Sequence, residues 1–184
     1  EINSEDEQIA IFNAIINGAK IPIDYTSVDG AGDIAYVWIG ATDKQTEGTW
    51  LWDGDNDNVG IHFWSGEGSN GSGDGEPVNS AYYNWGGKST GTAIEPDNST
   101  LQDYAGIALE GWPSGTTQLG IGGEWNDIKG SSELYFVVEK EEATSSFPIY
   151  QKNNISVYPN PASSFIQIST PELSQTLQIY TMDG

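Results

Sequence analysis

The chain has 184 residues and a formal net charge of −21, from 27 acidic residues against six lysines and arginines. A protein of this charge repels phosphate backbones, which argues against nucleic acid as a partner. It contains no cysteine, so disulfides and thiolate metal sites are excluded. No apolar run approaches the roughly 18 residues of a membrane span, so we expect no transmembrane segment.

The first predicted element is a helix. Ser4 and Glu7 have the S-x-x-E spacing of a capping box. Apolar residues follow at helical spacing as far as Ile16, and Asn17-Gly18 is a typical helix stop. The helix is therefore predicted to start after Ser4 and to end at Asn17-Gly18.

Four later segments are rich in strand-forming residues and predict strands. In the second of them Trp50 and Trp52 alternate, as in a strand with one aromatic face. Such tryptophans either pack in the core or form a platform on which a sugar stacks, and alternation within a strand favours the core. The four segments are residues 34–41, 48–52, 104–109 and 134–138.

Residues 53–80 are predicted to form one long loop, a length that is uncommon unless the loop is functional. Asp53, Asp55 and Asp57 have the D-x-D-x-D spacing of a calcium loop, but the glycine and terminal glutamate of that motif do not follow. A second calcium site and a solvated turn both remain open here. The glycine-rich residues 66–75 lack the Lys-Ser/Thr of a phosphate loop.

Two short stretches concentrate oxygen-bearing side chains: Glu95-Pro96-Asp97-Asn98 and Trp125-Asn126-Asp127. Hard cations such as Ca²⁺ take about 6–8 oxygen ligands. The backbone carbonyl of Asp127 could add one ligand, which leaves roughly two positions for an outside group such as two sugar hydroxyls. The predicted side-chain donors are Glu95, Asp97, Gln102, Asn126 and Asp127.

An enzyme is the alternative from a different class. His62 is the only histidine, and no nucleophile motif lies near it in the sequence. One histidine without cysteine also argues against catalytic zinc. Carboxylate pairs suited to a glycosidase are present, but nothing in the sequence indicates a pocket that raises a pKa. We therefore predict that the protein is not an enzyme.

The segments WIGATDKQTEGTWLWDGD, EPDN, QDYAGI, EWNDIKG and LYFVVEKE occur in this order within residues 1–142. Together they resemble a C-type lectin-like domain. The resemblance implies an α+β fold with two small antiparallel sheets, a helix and a long loop region. It also implies that the family's N-terminal strand and first helix would precede Glu1.

The same resemblance implies a primary calcium site at which a sugar binds the metal directly. Carried over by position, Glu95, Asp97, Asn126 and Asp127 would contact both Ca²⁺ and the carbohydrate. Gln102 stands where the family usually has a glutamate, so it would bind the metal more weakly. The family's Glu-Pro peptide bond is cis.

The triplet Glu95-Pro96-Asp97 mixes the family's mannose-type and galactose-type forms, which leaves the sugar open. Trp112 is a candidate for stacking on a sugar, and core packing is the other reading. The expected function is that of a calcium-dependent carbohydrate-binding module, with a glycan or polysaccharide as partner. The alternative is a metal-independent adhesive or protein-binding module of the same fold.

After Glu142 the composition changes, and residues 143–153 read as a linker. The following NISVYPNPASSFIQIS and TLQIYTMDG resemble the type A C-terminal sorting domain of the type IX secretion system in Bacteroidetes. Residues 154–184 would form only the front of that β-sandwich. This resemblance implies secretion machinery as a partner and a secreted or outer-surface bacterial protein.

Overall fold

A computed structural model describes residues 1–19, 21, 28, 34–99, 101–115 and 117–139, together with the backbone of 156–158 and 167–169. The chain separates into two compact units, Glu1–Lys140 and Glu141–Gly184. The predicted linker at 143–153 lies outside the described residues.

The N-terminal helix α1 spans Glu5–Asn13 and continues as a π-helical turn over Ala14–Gly18. Half of the predicted capping box forms: the Ser4 hydroxyl accepts from the Glu7 N–H at 3.3 Å. The Glu7 carboxylate accepts from the Asn3 N–H at 2.8 Å instead of from Ser4. Three acidic residues in the first turn stabilise the helix, because their negative charges lie at the positive end of the helix dipole.

The described residues of the first unit form one antiparallel sheet of six strands, where the resemblance implied two small sheets. The central strand β1 joins its two halves, because Tyr36–Trp38 pair with β5 and Ala41–Thr42 pair with β2. The architecture is of the α+β type, with a curled antiparallel sheet and one short helix. In the order β4-β3-β2-β1-β5-β6, the strands are β1 Tyr36–Thr42, β2 Thr49–Trp52, β3 Ile61–Ser65, β4 Glu76–Pro77, β5 Tyr104–Ala108 and β6 Trp125–Ile128.

Tryptophans fill the core. Trp50 is buried and packs edge-on against Trp85, with ring centroids 4.7 Å apart. Trp52 stacks on Phe63 at 4.8 Å and meets Trp125 edge-on. Aromatic pairs of this kind stabilise beyond their buried area by about 0.5–1.5 kcal/mol each. Trp50 is therefore a core residue, as the alternation predicted, and the half-buried Trp52 packs against the same core.

Two predictions about elements were wrong. Residues 53–80 are not one loop, because β3 and β4 lie within them. The strand predicted over residues 134–138 is reduced to a single bridge between Phe136 and Trp38. Beyond Trp38 that edge of β1 is occupied by β2, so the segment finds only one residue to pair with.

In the second unit, β7 (Ser156–Tyr158) and β8 (Gln167–Ser169) pair as antiparallel strands. Within the described part of the chain, no helix is long and apolar enough to cross a membrane.

Candidate metal centre

Strand β6 carries Asn126 and Asp127 at the end of the sheet. Its four residues are all buried, and Asp127 pairs with Ala105 on β5. A polar pair in a fully buried edge strand is costly unless its oxygens find partners. The location of these side chains therefore calls for a ligand or for hydrogen-bond donors close by.

The loop that starts at Glu95 supplies those donors. The Glu95-Pro96 peptide bond is cis, as the resemblance implied. The N–H groups of Asp97 and Asn98 donate to Asp127 Oδ2 at 3.1 and 2.7 Å. One oxygen of Asp127 thus holds the loop against the strand, and the other remains for a different role.

Three carboxylates meet where loop and strand join. Glu95, Asp97 and Asp127 each offer an oxygen within 4.8 Å of the others. Glu95 Oε2 and Asp127 Oδ1 are buried, and no described residue hydrogen-bonds to them. Their residues are only 2 % and 0 % exposed. Because an uncompensated buried carboxylate is strongly disfavoured, this group of residues fits a cation.

The electrostatics of the metal-free protein agree with this geometry. Burial, and then the charge of Asp97, raises the pKa of Glu95 to about 8, and the neighbouring Trp112 indole and Asp127 offset part of the rise. Burial and the charge of Glu95 raise the pKa of Asp127 well above its ordinary value. Neither group ionises readily without a positive charge beside it.

Asn126 and Gln102 belong to the predicted ligand set but are placed differently. Asn126 is buried beside Asp127 on β6, and its Nδ2 donates to the Tyr36 hydroxyl at 3.1 Å. Because Nδ2 makes the hydrogen bond to Tyr36, the amide oxygen of Asn126 is not used in it. Gln102 is buried just before β5, and no hydrogen bond in the described part of the chain joins it to the carboxylates.

Some residues near the centre were missed or left open from the sequence. Asn98, at a positive φ of 51°, has a buried side-chain oxygen without a partner. Trp112 is 1 % exposed and packs with Glu95 against Gly86, so the core reading holds and the sugar-stacking reading is wrong. Asn70, from the glycine-rich loop, donates to Asp97. No spacing rule connects residues this far apart in the sequence.

Asp43, at the end of β1, is a further buried carboxyl group that the sequence did not single out. Its Oδ2 accepts from the Gly48 N–H at 2.9 Å, and no described residue hydrogen-bonds to its Oδ1. Burial is the main cause that raises the pKa of Asp43 to about 8, and the charge of Glu47 adds to it.

The second acidic group, Asp53, Asp55 and Asp57, also offers oxygens within 4.8 Å of one another. Here the buried member is already satisfied. Asp53 Oδ1 accepts from the Asp57 N–H at 3.1 Å, and Oδ2 accepts from the Asn58 N–H at 2.9 Å. The other two side chains are exposed. The group forms a turn, and no buried oxygen in it points to a cation.

His62 lies on β3 and is half-buried, not in a loop. Its Nε2 is 3.0 Å from the Ser65 hydroxyl and 3.0 Å from the Trp64 carbonyl oxygen. In the tautomer whose Nε2 donates to the Trp64 carbonyl oxygen, this nitrogen cannot accept the Ser65 hydroxyl proton.

Comparison with known proteins adds no family or neighbour. No family model, no curated protein and no solved structure matches the chain.

Proposed function

We propose that this protein binds Ca²⁺ through Glu95, Asp97 and Asp127, with Asn126 and Gln102 as further ligands. The observation that carries the proposal is the pair of buried carboxylate oxygens without partners, Glu95 Oε2 and Asp127 Oδ1. Carboxylate and amide oxygens are the ligands of hard cations, and the absence of cysteine and the single histidine disfavour softer metals.

We further propose that the bound cation recognises a glycan. Protein oxygens would fill about five or six of its coordination positions and leave roughly two for hydroxyl groups. Asp97 is only half-buried, so the centre is accessible to a ligand from its side. Carboxylate oxygens beside the metal can also accept hydrogen bonds from the hydroxyls that the metal binds. The proposed role is a calcium-dependent lectin module.

Calorimetric titration of the full chain with Ca²⁺ tests the first step. We expect one binding event that is lost in Glu95→Gln and kept in Glu110→Gln, because Glu110 is exposed and outside the carboxylate group. Absence of calcium binding in a folded sample would overturn the proposal.

A glycan array with calcium and with chelator tests the second step. Binding that chelator abolishes is the expected result. Binding that resists chelator would favour the metal-independent adhesive module instead. Calcium binding without any glycan signal would leave a metal site and reject the lectin role.

The C-terminal segment supports a proposal about where the protein is located. The pairing of Ser156–Tyr158 with Gln167–Ser169 is consistent with the strands expected around the Tyr158-Pro159-Asn160-Pro161 motif. We propose that this segment directs secretion to the outer surface or beyond. In a bacterium that has the type IX system, replacing the motif with alanines should retain the protein inside the cell. Unchanged export would reject this assignment.

A further inference from the structure

We infer that Asn70, on the glycine-rich loop of residues 66–75, is a positioning residue of the metal centre. Its Nδ2 donates to Oδ2 of Asp97 across 27 residues of sequence. This inference rests on the proposed calcium site, because it concerns how one of its ligands is oriented. It extends the centre to a third segment of the chain.

The loop that carries Asn70 is docked against the Glu95 loop by its backbone. The N–H groups of Gly68, Ser69 and Asn70 donate to the carbonyls of Pro96, Ala93 and Ile94 at 2.7, 3.0 and 3.1 Å. These three bonds do not involve the Asn70 side chain. Removing that side chain therefore leaves the loop in place.

Gly68 makes this docking possible. A Cβ at position 68 would lie 2.3 Å from the Ile94 carbonyl oxygen and 2.6 Å from that of Glu95. Only glycine allows two backbones to approach so closely without a shift. The backbone of the loop thus holds Asn70 beside Asp97, and this position does not depend on the exposed Asn70 side chain alone.

Asp97 is the only half-buried member of the three carboxylates, since Glu95 and Asp127 are buried. Its Oδ1 accepts from the nearby Ser99 N–H at 2.9 Å. In the described part of the chain, Asn70 is the one side chain from another segment that hydrogen-bonds its carboxylate. Each carboxylate oxygen has a second lone pair, so Asp97 can accept these bonds and still coordinate a cation.

An amide is suited to this position. It donates an N–H to the carboxylate without adding a positive charge that would repel the cation. A lysine or arginine here would neutralise Asp97 and compete with the metal. Outer partners of metal ligands typically change metal affinity by about 10–100-fold, and an exposed one belongs at the lower end.

The test is calcium calorimetry on the full chain with three variants. Asn70→Ala should weaken calcium binding about tenfold. Asn70→Gln retains the amide on an exposed side chain and should restore the affinity to within about twofold of the wild type. Ser69→Ala is the matched control, because Ser69 is an exposed neighbour whose backbone bond is unchanged. It should bind as the wild type does.

The melting temperature of each variant in chelator separates positioning from folding. We expect Asn70→Ala to match Ser69→Ala there. Equal calcium affinity in Asn70→Ala and the wild type would overturn the inference while leaving the proposed function intact. A loss of affinity that Gln does not rescue, or one accompanied by a lower metal-free melting temperature, would also overturn it. Lack of calcium binding in the wild type would reject the proposed function itself, and the inference with it.

Discussion

Glu95, Asp97 and Asp127 come from a loop and a strand some 30 residues apart, whereas Asp53, Asp55 and Asp57 come from one turn. Both groups place three carboxylates within the same short distance. In the turn, both carboxylate oxygens of the buried Asp53 accept hydrogen bonds from backbone N–H groups. In the other group, two buried oxygens have no donor. Proximity of acids alone therefore does not distinguish the two groups, whereas the buried oxygens without a hydrogen-bond donor do.

The largest effect should appear when substitutions in the two carboxylate groups are compared. Asp127→Asn and Glu95→Gln each remove one of the proposed charged ligands, and we expect calcium affinity to fall more than 100-fold, by at least about 2.7 kcal/mol. Asp55→Asn, on the exposed turn, should leave the affinity unchanged. Calorimetry on the three variants checks this. Full affinity in both site variants, or a loss in Asp55→Asn, would contradict the contrast between the groups.

The pH dependence should follow the buried carboxyls of the first group. The pKa of Glu95 is raised from 4.5 to about 8 in the folded protein, so the metal-free protein should lose stability as pH rises through that window. Calcium must displace these protons, so its affinity should rise over the same window, up to about tenfold per pH unit for each proton released.

Melting temperatures at pH 5 to 9, in chelator and in calcium, check this prediction. Glu95→Gln should reduce the metal-free decline without abolishing it, because the pKa of Asp43 is also raised to about 8, chiefly by burial. A metal-free stability that increases with pH over this range would contradict it.

The orientation of Asn126 gives a smaller effect. Tyr36→Phe removes the hydroxyl that accepts from Asn126 Nδ2 inside the core. We expect a loss of about 1–3 kcal/mol in the free energy of unfolding and about tenfold weaker calcium binding. Tyr82→Phe is the control, since it loses a hydrogen bond to Glu5 near the helix and not at the site. Wild-type calcium affinity in Tyr36→Phe would show that Asn126 needs no such partner.

The smallest effect on binding should come from the turn itself. Asp53→Ala removes the acceptor of two backbone N–H groups and should cost about 1–3 kcal/mol of stability. Its calcium affinity should remain that of the wild type. Denaturant unfolding and calorimetry measure the two quantities separately. A weaker affinity with unchanged stability would reverse the roles assigned to the two groups.

Local features of the sequence determined much of the fold. The sequence predicted the Ser4 cap of the helix, the strand with Trp50 and Trp52, and the β5 segment. These features depend on neighbours a few residues away. Strand β3 was hidden between aspartate- and glycine-rich stretches, and the strand predicted near Phe136 lacked a long enough partner edge. Pairing partners lie far apart in the sequence, so local pattern could not decide these two cases.

The candidate site, too, was partly predictable from the sequence and partly decided by the tertiary structure. From the sequence alone came the residue types and the expectation that Glu95, Asp97 and Asp127 act together. Only the tertiary structure distinguished them from the Asp53 turn, because hydrogen-bond satisfaction depends on which N–H groups arrive beside each oxygen. It also buried Trp112 and brought Asn70 to Asp97. Burial and long-range contacts are properties of the folded chain, so no reading of the residues in order could have supplied them.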